Sequence, residues 1–291
     1  MTTNKSYCLF FSVAFLILFG KASAGEYVRV SPDLEIYYVE AGTGTPLIFI
    51  PGWCGTTEFY IQHQIPHFSK NYRVISFDPR SHGRSTRTLE NNNYIQHGKD
   101  LRSFMEALEL KDVILAGWSA GCHDIYAYLR TFGTDNIKAC IFIDDTPKPL
   151  VTQKGDWGWF AEISEARDFI NGTVYDQRGL VTTFFPTLMK REMTQDELDW
   201  AVDEVLKTPA SVAALLITDY VFGDYTREAR MIDGKIPVFN ILNEDWAAEG
   251  KKWLAENAPA SNTFVLGKHA MAWEFPDEFN AALDSFLMKI K

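Results

Sequence analysis

The sequence predicts an α/β fold: a mostly parallel sheet flanked by helices, with a helical cap inserted between strands 6 and 7. Three observations predict it. From Leu34 to Ile143, short apolar segments alternate with segments of helical spacing. From Thr146 to about Ile236 the alternation stops, and from Val238 it resumes. Continuous apolar strands separated by helices indicate a sheet covered on both faces.

In chain order, Leu34–Val39 reads as a strand and residues 41–46, Ala-Gly-Thr-Gly-Thr-Pro, as a turn. Leu47–Ile50 is a short strand ending at Pro51-Gly52, Phe59–Phe68 is helical and Tyr72–Phe77 is a strand. Leu101, Phe104, Met105 and Leu108 have helical spacing and place a helix over 100–110. Val113–Ala116 is a strand, Cys122–Phe132 a helix and Ala139–Ile143 a strand. The block 146–236 is helical in pattern and rich in aromatics, among them Trp157, Trp159, Phe160, Phe184, Phe185, Trp200, Tyr220, Phe222 and Tyr225. These rings either face a substrate or fill the small core of the insertion itself. Val238–Leu242, a helix at Ala247–Asn257, a strand at Thr263–Leu266 and a helix from Pro276 complete the chain.

Composition sets the class. The 291 residues are 46% hydrophobic and 23% charged, ordinary for a globular protein. The formal charge of -10 repels phosphate backbones and argues against a nucleic-acid partner. At the N-terminus, Lys5 precedes the apolar run Tyr7 to Gly20, followed by Ala22-Ser23-Ala24. A basic start, an apolar core and a small-x-small site predict a secretory signal peptide over 1–24, cleaved after Ala24. The alternative is a retained anchor, but the run is short of the ~20 residues that span a bilayer. Cleavage predicts a secreted or periplasmic protein without a stable membrane anchor. The core then comprises 25–145 and 237–291, with the cap at 146–236. The remaining cysteines, Cys54, Cys122 and Cys140, are odd in number, and Cys122 and Cys140 read as small core hydrophobes.

The chemistry centres on Gly117-Trp118-Ser119-Ala120-Gly121, which follows a strand and opens a helix. That context is a nucleophile elbow, in which a tight turn lifts the serine hydroxyl clear of the sheet. The backbone N–H of Ala120, at the helix start, is placed to meet a developing oxyanion. A serine needs a base to take its proton. Of the six histidines, only His123 and His269 follow Ser119. His123 lies on the elbow's own helix. His269 lies on a loop between the last strand and the last helix, and is the expected general base.

With these residues in view, the chain from residue 25 onward resembles the α/β-hydrolase superfamily, in its serine-nucleophile branch of esterases, non-haem haloperoxidase-like hydrolases and cofactor-free dioxygenases. Pro51-Gly52-Trp53 is similar to the family's oxyanion loop, with Pro51 replacing the usual histidine, and the resemblance makes the Trp53 N–H the second oxyanion donor. Asp78-Pro79-Arg80-Ser81-His82-Gly83-Arg84-Ser85 resembles a structural loop of the family in which Ser81 replaces a glycine. Trp273-Glu274-Phe275-Pro276 is similar to the family's run into its last helix.

The resemblance leaves the triad acid between two positions. The usual place follows the strand Val238–Leu242, but there the register of the aspartate holds Trp246 and Asp245 falls one residue early. Some haloalkane dehalogenases and the cofactor-free quinolone dioxygenases carry the acid at the end of the preceding strand, where this chain has Asp144. Asp144 is favoured, with Asp245 the alternative.

No metal-binding or phosphate-cradling motif is present, so neither a metal nor another cofactor is expected. The resulting expectation is a serine hydrolase acting on an ester, thioester or lactone with an apolar acyl or aryl part. Ser119 is the nucleophile, His269 the base, Asp144 or Asp245 the acid, and Trp53 and Ala120 supply the oxyanion hole. Two alternatives remain: a cofactor-free dioxygenase or haloperoxidase-like enzyme on the same fold, and a non-catalytic binding protein that kept the fold.

Overall fold

The computed structural model describes residues 25–290; the expected leader, 1–24, lies outside the described residues. Eight strands form one sheet: β1 (Glu26–Ser31), β2 (Leu34–Ala41), β3 (Pro46–Ile50), β4 (Arg73–Phe77), β5 (Val113–Trp118), β6 (Ile137–Ile143), β7 (Val238–Leu242) and β8 (Asn262–Val265). Their spatial order is β1-β2-β4-β3-β5-β6-β7-β8. β2 runs antiparallel to both β1 and β4, and every other pairing is parallel. The sequence reading starts no strand before Leu34. β1 escaped it because this edge strand buries no residue fully and carries no continuous apolar run.

Period-2 alternation divides the central strands between two cores. Ile48, Ile50, Leu115 and Phe142 face one side, with Phe104 and Met105 of α3 (Tyr94–Ala107) and Ile125 and Leu129 of α4 (Gly121–Phe132). Leu47, Phe49, Ile114 and Ile141 face the other, with Phe279, Leu283 and Phe286 of the last helix, Pro276–Leu287. Fully burying each such side chain contributes about 1.5–3 kcal/mol, which is why these strands read as continuous apolar runs.

Helix boundaries differ from the sequence reading where the stretch is polar. The span 59–68 is two short helices, α1 (Glu58–Ile61) and α2 (Gln64–Phe68). α3 begins six residues before Asp100, its end capped by the Asn93 side chain accepting from the Gln96 N–H. The first turns of α3 bury His97, Gly98 and Asp100 beside Tyr94, so polar residues interrupt the apolar spacing there.

Between β6 and β7 the chain contributes nothing to the sheet. It contains α5 (Ile163–Phe184), α6 (Gln195–Val205), α7 (Ala210–Val221) and α8 (Thr226–Ile232), with α5 kinked at Asp176. This insertion packs on the carboxyl ends of the strands: Trp53 Nε1–H donates to the Ala213 carbonyl of α7 at 2.9 Å, and Ala270 N–H donates to Leu188 O at 2.9 Å. Its aromatics divide. Trp157 is buried beside Trp246 and Trp253, Phe222 is exposed, and Trp159 and Tyr220 reach the sheet edge.

Candidate active site

Ser119 follows β5 with φ of 53°, in the left-handed region that L-residues avoid. The turn that imposes this angle has no room for larger neighbours. A Cβ on Gly117 would lie 2.5 Å from the Gly121 carbonyl oxygen, and one on Gly121 would lie 2.5 Å from that of Pro51. Two bonds pin the serine: its N–H donates to Ile143 O at 2.9 Å, and its carbonyl accepts from Cys122 N–H at 2.8 Å. Among the described residues, neither the Ala120 N–H nor the Trp53 N–H donates to another group. Gly52 brings the Trp53 loop close, since a Cβ there would lie 3.0 Å from the Ser119 Cβ.

His269 and Asp144 form a buried pair, Nδ1 to Oδ2 at 2.7 Å, with the carboxylate fully enclosed. The carboxylate has three further donors: Asn243 N–H to Oδ1 at 2.8 Å, Asn243 Nδ2 to Oδ2 at 2.9 Å, and Trp246 Nε1 to Oδ1 at 2.8 Å. Four donors on two oxygens satisfy a buried anion that would otherwise be costly. Like Ser119, Asp144 adopts a positive φ, 52°, and its N–H donates to Ile241 O at 2.7 Å. The serine and histidine segments meet through Trp118, whose indole N–H donates to His269 O at 2.8 Å. With Nδ1 on Asp144, Nε2 is left without a partner among the described residues, the nitrogen a base would use.

Asp245 is exposed, and its backbone N–H caps back onto Asn243 Oδ1 at 2.8 Å. It does not meet His269; Asp144 does. The register that looked displaced in the sequence is occupied by Trp246 and Asn243, which are ligands of Asp144. Their signal was present in the tetrapeptide Asn243-Glu244-Asp245-Trp246, but it reads as a misplaced acid until β6 and β7 are paired. His123 is buried away from the site, its Nε2 facing Thr146 O at 3.2 Å, and burial pushes it down to about 3.

The Asp78 loop is structural. Asp78 accepts from Thr57 N–H and Arg84 N–H, each at 2.8 Å, and Arg80 forms a bidentate buried pair with Asp100 at 2.7 and 2.9 Å. Ser81 adopts φ of 64°, and its hydroxyl accepts from Thr88 N–H at 3.0 Å.

Trp118 and Ala270, next in sequence to Ser119 and His269, line a narrow apolar cleft with Phe59, Tyr60, Ala272 and Trp273. Trp200 and Phe185 of the insertion pack on Phe59. That cleft measures only about 20 Å³; a far roomier cavity, about 630 Å³, is lined by groups such as Lys148, Asp156, Arg230 and Trp253, and neither is lined by Ser119 or His269. Among the described residues, no group of three His, Cys, Asp or Glu side chains could hold a metal ion, and no helix is long and apolar enough to cross a membrane. Cys54, Cys122 and Cys140 are free and buried.

A family model described as alpha/beta hydrolase fold matches residues 45–243. The chain belongs to the α/β-hydrolase family. It is 24% identical over 268 residues to a Synechocystis sp. protein bearing the name non-heme chloroperoxidase, covering 88% of this chain and 96% of that one. A bromoperoxidase structure from Bacillus anthracis matches with a TM-score of 0.82 and 25% identity, over 91% of this chain and all of that one. An esterase structure from Exiguobacterium antarcticum matches with a TM-score of 0.81 and 18% identity, over 91% of this chain and 100% of that chain. The fold therefore carries esterase and non-haem haloperoxidase relatives.

Proposed function

We propose that this α/β-hydrolase is a serine hydrolase that cleaves an ester, thioester or lactone through an acyl-enzyme on Ser119. The observation that carries the reading is the His269–Asp144 pair at 2.7 Å, tied to the strained Ser119 turn through Trp118. In the reaction, Nε2 of His269 takes the serine proton as Oγ attacks the carbonyl carbon. The free N–H groups of Trp53 and Ala120 receive the oxyanion, and the imidazolium returns the proton to the leaving group. Asp144 fixes the tautomer and stabilises the imidazolium. Water then repeats the sequence on the acyl-enzyme. The rings of Phe59, Trp118 and Trp273 beside the serine and histidine segments favour an apolar acyl or aryl portion in the substrate.

Labelling the purified protein with a fluorophosphonate, alongside an ester and lactone panel of graded acyl length, tests the reading. Labelling at Ser119 with ester turnover is expected. Retention of more than about a tenth of the rate by Ser119→Ala would remove the serine from the mechanism, against a loss on the order of 10⁶ when a nucleophile of this kind is deleted. Oxygen uptake by Ser119→Ala on a quinolone would give the chemistry to His269 and Asp144 alone.

The same proposal places the enzyme outside the cytoplasm. Lys5, the apolar run and Ala22-Ser23-Ala24 support an exported chain, and N-terminal sequencing of the mature protein is expected to begin at Gly25.

A further inference from the structure

The two adjacent carboxyls at the end of β6 each hold an indole. Asp144 Oδ1 accepts from Trp246 Nε1–H at 2.8 Å, and Asp145 Oδ1 accepts from Trp159 Nε1–H at 3.1 Å. The indoles meet edge to face with centroids 4.2 Å apart. Trp159 also lies against the His269 ring, at 4.6 Å with planes 83° apart. Asp145 Oδ1 has a second donor, the Tyr220 hydroxyl of α7, at 2.5 Å. Trp159 precedes α5 and Tyr220 lies some sixty residues further on, so Asp145 gathers two distant parts of the insertion onto the strand that carries Asp144.

We propose that Asp145 is a positioning residue: it holds Trp159 against His269 and so orients the imidazole from the cap side while Asp144 orients it from the sheet. This rests on His269 being the general base. Asp145 does the work as an acceptor through Oδ1. It is fully buried, and the groups around it are Tyr220 from α7, His123, Cys122 and Tyr126 from α4, Tyr94 from α3, Trp159 from the insertion and its neighbours Asp144 and Thr146. None is a fixed cation. Its closest basic atom is His123 Nε2, 3.6 Å from Oδ2, and that nitrogen is turned to Thr146 O. Burial pushes the Asp145 carboxyl well above the usual carboxylate range and keeps His123 neutral. Oδ2 has no hydrogen-bond partner among the described residues, whereas Oδ1 takes both donors. A carboxyl that accepts through one oxygen only has the shape and acceptor pattern of an amide.

Asparagine is therefore expected to replace Asp145, and alanine is not. Three variants, Asp145→Asn, Asp145→Ala and Trp159→Phe, are compared in kcat, KM and pH profile on a short ester. In parallel, the His269 ring protons are followed by NMR with histidine-selective labelling. Asp145→Asn should stay within about threefold of wild type in kcat and keep the His269 ring-current shift, since its Oδ1 acceptor is retained. Asp145→Ala should lower kcat by roughly 10–100-fold, the scale of a lost supporting contact, with a smaller change in KM, a displaced acid limb and loss of the shift. Trp159→Phe keeps a ring but loses the N–H, and should fall in the same direction; it decides the matter if Asp145→Ala does not fold. The proposal is overturned if Asp145→Ala or Trp159→Phe leaves both kcat and the shift unchanged, or if Asp145→Asn is as damaged as Asp145→Ala. Absence of ester turnover in the wild type would remove the hydrolase reading, and the ring-proton measurement would still decide whether Asp145 positions Trp159 on His269.

Discussion

Asn243 holds Asp144 with two hydrogen bonds, its backbone N–H on Oδ1 at 2.8 Å and its side-chain amide on Oδ2 at 2.9 Å. The end of β7, where the family habit reads an acid, thus supplies the clamp for an acid at the end of β6. Asp144→Asn is expected to cut kcat by roughly 10⁴, because an amide no longer enforces the imidazole tautomer. Asp245→Asn should cost no more than about tenfold, the low end for a residue beyond the immediate contacts. Asn243→Ala should fall between them. Steady-state kinetics on one ester orders the three, and a larger loss in Asp245→Asn than in Asp144→Asn would reverse the assignment.

Gly52 sets the spacing between the oxyanion loop and the elbow. With Cβ contacts of 3.0 Å to Ser119 Cβ and 3.2 Å to Trp118 O, Gly52→Ala must push the Trp53 loop away from the serine. Loss of one oxyanion donor costs about 10²–10³ in kcat. That loss is expected here, with KM moving less and the circular dichroism spectrum unchanged. Wild-type kcat in Gly52→Ala would show that the Trp53 amide does not serve the reaction.

Asp100 carries a stability prediction. It is buried, pairs bidentately with Arg80 and also accepts from Gln96 Nε2 at 2.9 Å. Asp100→Ala leaves the Arg80 guanidinium enclosed and uncompensated, which costs about 3–5 kcal/mol. Urea denaturation should show a lower midpoint at an unchanged slope. The double variant Arg80→Met with Asp100→Leu should recover part of the loss, since no charge is then stranded.

His82 carries a prediction in pH. It is buried with Nδ1 on Arg80 O at 2.8 Å, and burial first, then the nearby His97, pushes it down to about 3. Its folded value lies below its unfolded one, so the unfolded chain binds the proton first. The neutral ring's contribution is complete above about 6.5 and is lost as pH falls toward 3, by at most about 1.4 kcal/mol per unit. Between pH 6 and 4, His82→Gln should lose stability less steeply than wild type in denaturant titrations. Parallel slopes would show that His82 titrates alike in both states.

Most of the fold was legible in the sequence because its signals are local. β7 (Val238–Leu242) and the helix Ala247–Asn257 have the boundaries that apolar runs and helical spacing predict, since both elements bury one continuous stripe or strand. The serine turn was legible because its pattern is local: Gly117 answers a steric demand from Gly121 four residues on, while the crowding of Gly121 by the Pro51 carbonyl becomes visible only in the fold. β1 and the start of α3 were not, because an exposed edge and a polar buried helix start depend on what packs beside them.

The sequence by itself determined which segments are strands, where the Ser119 turn falls and the place of His269 on its loop, each by a pattern legible within a few residues. Only the tertiary structure decided the rest. Pairing β6 with β7 set Asn243 and Trp246 around Asp144 and left Asp245 in solvent, and folding the insertion over the sheet brought Trp159 and Tyr220 to Asp145. The physical reason is the same in each case: a buried carboxyl is held by the donors that reach it, and here they come from residues 14 to 125 positions away along the chain.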